Sequence, residues 1–421
     1  MRTGTSAGTS TGTPTGTSAA PRRLRPRTLA VIAVCLVLLG AGVVAGARWA
    51  REATGSVTLL ANWSGAEREQ FEENVIEPFE EKYRIDVVYQ GSSALSQVLA
   101  ADVAAGNPPD VAILPGPGEL LSYAADGRLK PLDGLFDPRQ YDGIWAPEVT
   151  IPGRGAHTYW LPVKTGLKSM VWYAGDRPDA RSAGTPGRWC LGMESGATSG
   201  WPGTDWVEDI LLQQAGPRVY EDWANGELPW TDDAVRKAWT TFGELAGAGR
   251  NRRVERALTT GFGADCAPGR LEHQGSFRAA HWQRAGGDYV HSAEIVPNAG
   301  PDAGAWEVSG DLAALLDPSP EAERLIRYLA DPDTALPEYT ANKEAAPDGG
   351  QDSTAREIGE SLRKPGEPRC WDASDTMPRT TRDAFHQAVL RFLVAPRQLD
   401  ARLEELEEVR TVQDLPVCGG G

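Results

Sequence analysis

From residue 57 onward the chain alternates short apolar runs with amphipathic stretches. VTLLAN (57–62) reads as a buried strand, and a helical pattern follows with Phe71, Val75, Ile76, Phe79 and Tyr83 on one face. Ser64 and Glu67 have the spacing of a capping box at its start, and Pro78 is expected to kink or shorten it. RIDVVYQ (84–90) reads as a second strand, 94–105 as a second helix and DVAILP (110–115) as a third strand, followed by a helix through Leu120, Leu121 and Ala124. This β-α-β-α-β order predicts a parallel, doubly wound α/β sheet. Ligands of such sheets lie beyond the C-terminal strand ends. Those ends are Trp63-Ser64-Gly65, residues 90–93 and Pro115-Gly116-Pro117-Gly118.

After about residue 150 the pattern changes. WLPVKTGLKSMVWYA (160–174) predicts two strands around Lys164-Thr165-Gly166. WCLGMESGATSGWPGTDW (189–206) is too rich in glycine for a helix and too irregular for a strand. It reads as an ordered loop that opens into a helix at 207–215. Further helices are predicted at 217–224 and 232–248, a strand at 260–262, a mixed segment over 266–284 and a strand at 308–316. Pro318-Ser319-Pro320 caps the next helix, and two amphipathic helices follow, AFHQAVLRFLV and the leucine-striped LDARLEELEEV.

A chain of 421 residues that is 41% hydrophobic holds one large core or two lobes. Its net charge of -16 is uneven: residues 1–51 carry seven Arg and no acid, so the body is more acidic still. That balance argues against nucleic acid and anionic lipid as partners and is compatible with neutral or cationic small ligands. Residues 1–28 form a low-complexity tail expected to be disordered and cytoplasmic. The uncharged segment 29–47, preceded by arginines, predicts a membrane anchor with its N-terminus inside, or a signal segment ending in Ala45-Gly46-Ala47. Either way the body lies outside the cytoplasm. Besides Cys35 in that segment there are four cysteines, Cys190, Cys266, Cys370 and Cys418, which suggests two disulfides in one of three connectivities. No spacing fits a metal site, and no cofactor is expected.

Several stretches together carry a resemblance: ANWSGAEREQF (61–71), the GNPPDVAILPGPG block with its PLD ending (106–133), VKTGLKSMVWY (163–173), WCLGMESGATSGWPGTDWVEDILLQQAG (189–216), HQGSF (273–277) and DASDTMP (372–378). The chain resembles the extracellular solute-binding proteins of ABC sugar importers, and among them the alpha-glucoside-binding proteins. The resemblance implies two α/β lobes joined at a hinge, with the ligand in an interlobe cleft. Lobe one is expected at about 55–164 plus 308–362, and lobe two at 165–307 plus 363–421. It implies a non-enzymatic monomer that hands a carbohydrate to ABC permease subunits. It also implies pairing of Cys190 with Cys266 and of Cys370 with Cys418. The chain departs from the pattern in its long tail, its anchor-like segment and the few aromatics after Met377-Pro378.

The candidate ligand-binding residues are Trp63, Ser64, Gly116, Lys164, Trp201, Asp205, Trp206, Gln274, Trp282 and Asp375. Aromatic faces suit the C–H face of a sugar, and carboxylates accept its hydroxyls. Each has a plainer alternative: the tryptophans as core, Lys164 as a surface charge, Asp205 and Asp375 as helix caps, and Glu208 as a first-turn acid. A glycoside hydrolase needs two carboxyls on opposite sides of the bond, whereas Asp205, Glu208 and Asp209 share one junction. The remaining alternatives are a membrane-tethered sensor without a permease and a binder of a non-sugar solute such as a polyamine.

Overall fold

The structure, a computed structural model, describes residues 53–336, 338–345 and 353–420; the tail and the apolar segment 29–47 lie outside them. Among the described residues no helix is long and apolar enough to cross a membrane. Residues Thr54–Gly421 form one compact unit.

Strand β1 (Gly55–Ala61) is followed by helix α1 (Gly65–Phe71), a π-helical turn (Glu72–Ile76) and α2 (Glu77–Tyr83). Pro78 does not shorten the helical run, which continues to Tyr83. Pro78 falls at the start of α2, where its missing N–H is tolerated, and the wider π turn just before it carries the helix on. Ser64 does stand at the N-cap, but its side chain makes no capping bond. Then come β2 (Ile85–Gly91), α3 (Leu95–Ala105), β3 (Val111–Pro115) and α4 (Pro117–Ala125). Strands β2, β1 and β3 pair in parallel, as the alternation predicts.

The segment expected as two strands around Lys164–Gly166 is instead one strand, β4 (Leu161–Leu167), running straight through those residues. The break falls later, at Lys168-Ser169, after which β5 (Met170–Tyr173) enters a different sheet. The large sheet has seven strands, and the other, antiparallel sheet has three.

In lobe two, α5 (Trp201–Ala215) starts six residues earlier than the sequence suggests. Gly200, at φ 110°, turns the chain, and Pro202 sits in the first turn, so the glycine-rich stretch ends before Trp201. Asp205 is therefore inside the helix and does not cap it. Helices α6 (Pro217–Ala224), α7 (Asp233–Ala246) and α8 (Asn251–Thr259) follow. The strand expected at 260–262 is reduced to a single bridge from Gly261 to Glu194. Next are β6 (Glu272–His273), α9 (Ala279–Arg284) and β7 (Asp288–His291), which complete the small sheet with β5.

The chain returns through β8 (Trp306–Leu315), paired antiparallel to both β3 and β4. Helix α10 (Pro320–Ala330) follows, with Ser319 capping it as expected. After α11 (Ser353–Arg363), strand β9 (Arg369–Trp371) pairs in parallel with the start of β8. A short helix α12 (Ala373–Thr376), then α13 (Arg379–Val394) and α14 (Leu399–Glu408), lead to β10 (Cys418–Gly419), which closes the edge beside β9. Cys190–Cys266 and Cys370–Cys418 are the two disulfides.

Candidate functional site

Three segments converge where the chain leaves or re-enters the large sheet. Lys168 follows β4, Glu307 is the second residue of β8, and Asp372 follows β9. The Lys168 N–H donates to Glu307 O at 2.7 Å, and the Asp372 N–H donates to Val308 O at 2.8 Å. The Lys168 ammonium pairs with the Asp372 carboxylate and lies 3.1 Å from Asp205 Oδ2. Crossing segments bonded at one place form a hinge.

One face of α5 is acidic and buried against that hinge. Helical spacing puts Asp205, Glu208 and Asp209 close together, and all three are buried. Glu208 accepts from the Ser374 N–H at 3.1 Å. Asp209 accepts from Ser169 Oγ (2.7 Å), Ser292 Oγ (3.0 Å) and Gln213 Nε2 (2.9 Å), and its other oxygen lies 2.7 Å from His273 Nε2. Asp205 Oδ1, Glu208 Oε1 and Glu307 Oε2 are buried without a partner among the described residues.

Burial pushes Asp205, Glu208 and Glu307 well above the usual carboxylate range. Lys168 opposes this for Asp205, and Asp372 adds to it for Glu208 and Glu307. Asp375 is pushed up to about 7, by burial first and then by Asp372. Burial also opposes the charge on Asp372, but Lys168, Glu208 and Ser374 outweigh it and hold that carboxyl below its usual range. Lys168 stays charged because Asp205 and Asp372 outweigh its desolvation. The array therefore sets the Lys168 ammonium, a donor, beside the Asp372 carboxylate and carboxyls whose charge burial disfavours, which are acceptors.

Next to it lies an aromatic platform. The Trp201 ring is 5.1 Å from Phe262 and 6.3 Å from Phe277, and those two are 6.1 Å apart. Phe262 is 36% exposed and Phe277 38%, unusual for such large apolar groups. The Lys168 ammonium stands 5.3 Å from the Trp201 ring, which links platform and hinge.

Lobe one contributes differently. Trp63 is 1% exposed: its indole N–H donates to Asp311 Oδ2 at 3.0 Å and its ring packs 4.7 Å from Phe71. In front of it, Lys164 binds Glu67 Oε1 (2.5 Å) and Glu338 Oε1 (2.9 Å), with its ammonium 5.9 Å from the Trp63 ring. Ser64 is exposed at the start of α1. Gly116, at φ 77°, fits tightly over Asp375, since a Cβ there would lie 2.4 Å from Asp375 Cβ and 2.5 Å from its carbonyl oxygen. A second interlobe tie joins Arg382 on α13 to Glu119 on α4 at 3.3 Å and to Ser96 on α3 at 3.1 Å, all largely buried.

The structure thus brings Gly116, Lys164, Trp201, Asp205 and Asp375 to the junction of the lobes, with Trp63 behind Lys164. Trp206 and Gln274 instead line a cavity within lobe two. Trp282 is lobe-two core, its indole N–H donating to Glu272 at 2.5 Å. The sequence reading passed over Phe262, Phe277, Lys168, Asp311 and Asp372. Phe277 and Asp372 lie in stretches that carry the resemblance, and Lys168 is the second lysine of VKTGLKS. Only the strand break after Leu167 distinguishes it from Lys164.

Comparison with known proteins agrees with this architecture. Residues 62–336 match the model of the bacterial extracellular solute-binding protein family. The osmoprotective compounds-binding protein GgtB of Synechocystis sp. is 31% identical over 309 residues, covering 65% of this chain and 72% of that protein. The chain belongs to this family of extracellular solute-binding proteins. Within it, the alpha-glucosides-binding periplasmic protein AglE of Rhizobium meliloti is 32% identical over 216 residues, 45% of this chain and 47% of AglE. Among solved structures, a chitin oligosaccharide binding protein superposes with a TM-score of 0.66 at 16% identity, covering 84% of this chain and 98% of that one, which shows the shared two-lobed fold.

Proposed function

We propose that this protein captures a neutral carbohydrate, an alpha-glucoside or a short oligosaccharide, between its lobes and delivers it to ABC permease subunits in the membrane. The observation that carries this reading is the Trp201–Phe262–Phe277 platform beside the Lys168–Asp205–Asp372 array. Apolar faces next to densely packed donors and acceptors match the two faces of a pyranose. The name of AglE points to the same ligand class. The lobes would be about 55–164 with 308–362, and 165–307 with 363–421, closing over the solute. No bond is broken, because Asp205 and Glu208 lie on one side of any ligand against the platform. The protein acts as a monomer on the outer face of the membrane, held or exported by its N-terminal apolar segment.

A thermal-shift screen tests this. Ligand that binds only the folded chain raises its melting temperature by mass action. Maltose, trehalose, sucrose and longer maltodextrins are the test set, with polyamines and a chromogenic glucoside as controls. A shift with one class of glucoside, abolished in Trp201→Ala, is expected. A shift with polyamines alone would replace the sugar reading, and release of the chromophore would restore the hydrolase reading.

A further inference from the structure

Lobe two contains a cavity that shares only Phe262 with the proposed sugar site. Its volume is about 430 Å³, and every residue lining it comes from 189–206 or 252–274. That size lies within the roughly 300–1,000 Å³ typical of small-molecule sites. The 260–270 loop forms one wall and is held there by the Cys190–Cys266 bridge. Phe262 stands between the cavity and the Trp201 platform, lining one and touching the other.

Four arginines line this cavity: Arg252, Arg253, Arg256 and Arg270. Among the described residues none is paired with a carboxylate. Arg253 donates to the carbonyls of Ala246 (2.7 Å) and Trp189 (3.1 Å), and Arg270 donates to the Trp189 carbonyl at 3.3 Å. Burial, and then the like charges of Arg270 and Arg250, lower the pKa of Arg253. The two acids on the lining are occupied elsewhere. Glu272 binds Arg278 (3.1 Å) and Trp282 (2.5 Å), and Asp265 points to solvent near His281. Four clustered cations without a counter-charge favour an anion.

Two buried side chains border the cavity as well. Gln274 is only 6% exposed, and its Oε1 has no partner among the described residues. His273 directs Nε2 to Asp209, and its buried Nδ1 is likewise unpartnered. Both atoms are closed off from solvent, so the two residues border the cavity through their other atoms. Trp206 also lines the cavity, its ring packed against Trp189 and His273.

We propose that this cavity is a second binding site, beside the interlobe site, for a small organic anion, a sugar acid or a sugar phosphate, its charge among the arginines. Calorimetric titration of the full chain with D-gluconate, glucose 6-phosphate, glucose and inorganic phosphate tests it. Saturable binding of gluconate or glucose 6-phosphate is expected, weakening as salt rises, and which of the two binds identifies the anionic group. Arg252 and Arg256 are exposed, so the double variant R252Q/R256Q should keep its melting temperature and lose at least about tenfold in affinity for the anion, with any maltose binding unchanged. Trp201→Ala should leave anion binding intact. The proposal is overturned if neither anion binds, if the arginine variant binds like the parent, if inorganic phosphate binds as well as the organic anions, or if Trp201→Ala abolishes anion binding.

Discussion

The ammonium of Lys168, on the first crossing between the lobes, is ion-paired with the carboxylate of Asp372, on the third. Asp205 completes the pair from α5, and the Lys168 backbone holds the second crossing through Glu307. One buried cation therefore organises all three segments on which the lobes turn.

Lys168→Met should be severely destabilising, by about 3–5 kcal/mol, because it strands two buried carboxylates. A double variant, Lys168→Met with Asp372→Asn, should recover part of that loss, since the strongest uncompensated charge is removed with its partner. Chemical denaturation of the parent, both single variants and the double variant gives the coupling. Losses that simply add would show that the pair does not interact.

Stability should fall as pH rises through the range where the buried acids remain protonated only in the folded chain. Asp375 is raised to about 7, whereas an unfolded aspartate titrates near about 4. Between those values the folded state holds a proton that the unfolded state has lost, so the gradient of stability with pH is negative. Asp205, Glu208 and Glu307 act in the same direction. Asp372 and Asp209, both lowered, act in the opposite direction and weaken the fold only as pH drops below the ordinary carboxylate range. Melting temperature should therefore rise on acidification from pH 8 to about 5, and Asp375→Asn should flatten the part of that slope below about 7.

Gly116→Ala should be destabilising by about 1–3 kcal/mol. It combines a left-handed backbone with a Cβ driven into Asp375. The expected signature is a lower denaturation midpoint with an unchanged denaturant slope. A neutral outcome would mean that α4 and α12 separate readily.

Arg382→Met should act on closure more than on folding. With the lobes together it leaves Glu119 buried with only Ser96 as a side-chain partner, and with the lobes apart Glu119 regains water. A larger radius of gyration in solution scattering is expected, together with weaker ligand binding in proportion to the lost closed population. An unchanged scattering profile would rule the pair out as a closing contact.

Much of this was legible in the chain. The parallel order of β1, β2 and β3 follows from apolar runs alternating with helical spacing, and the cap at Ser319 follows from local chemistry. The resemblance anticipated both disulfide pairings. Three features were not legible for a physical reason. β4 is buried on both faces through Lys164-Thr165-Gly166, so its sequence carries no alternation to show that it continues and breaks only at Lys168. Gly196 and Gly200 mask the helix start at Trp201, because they lower helical propensity just ahead of a proline that favours a first turn. The platform joins Trp201 to Phe262 and Phe277, some sixty and seventy-five positions later, through tertiary packing that no sequence window contains.

The order of synthesis gives β10 a further consequence. It is the outermost strand beside β9, and Cys418 reaches back to Cys370 over 48 positions. A ribosome releases β8 and β9 well before β10, so a nascent chain presents β9 as an open edge with a free thiol. The pivot of the protein is thus among the last parts to be sealed. A chain halted before Leu415 would have both lobes nearly complete but an unprotected strand between them, and it should aggregate through that edge rather than remain as a soluble, slightly shortened receptor.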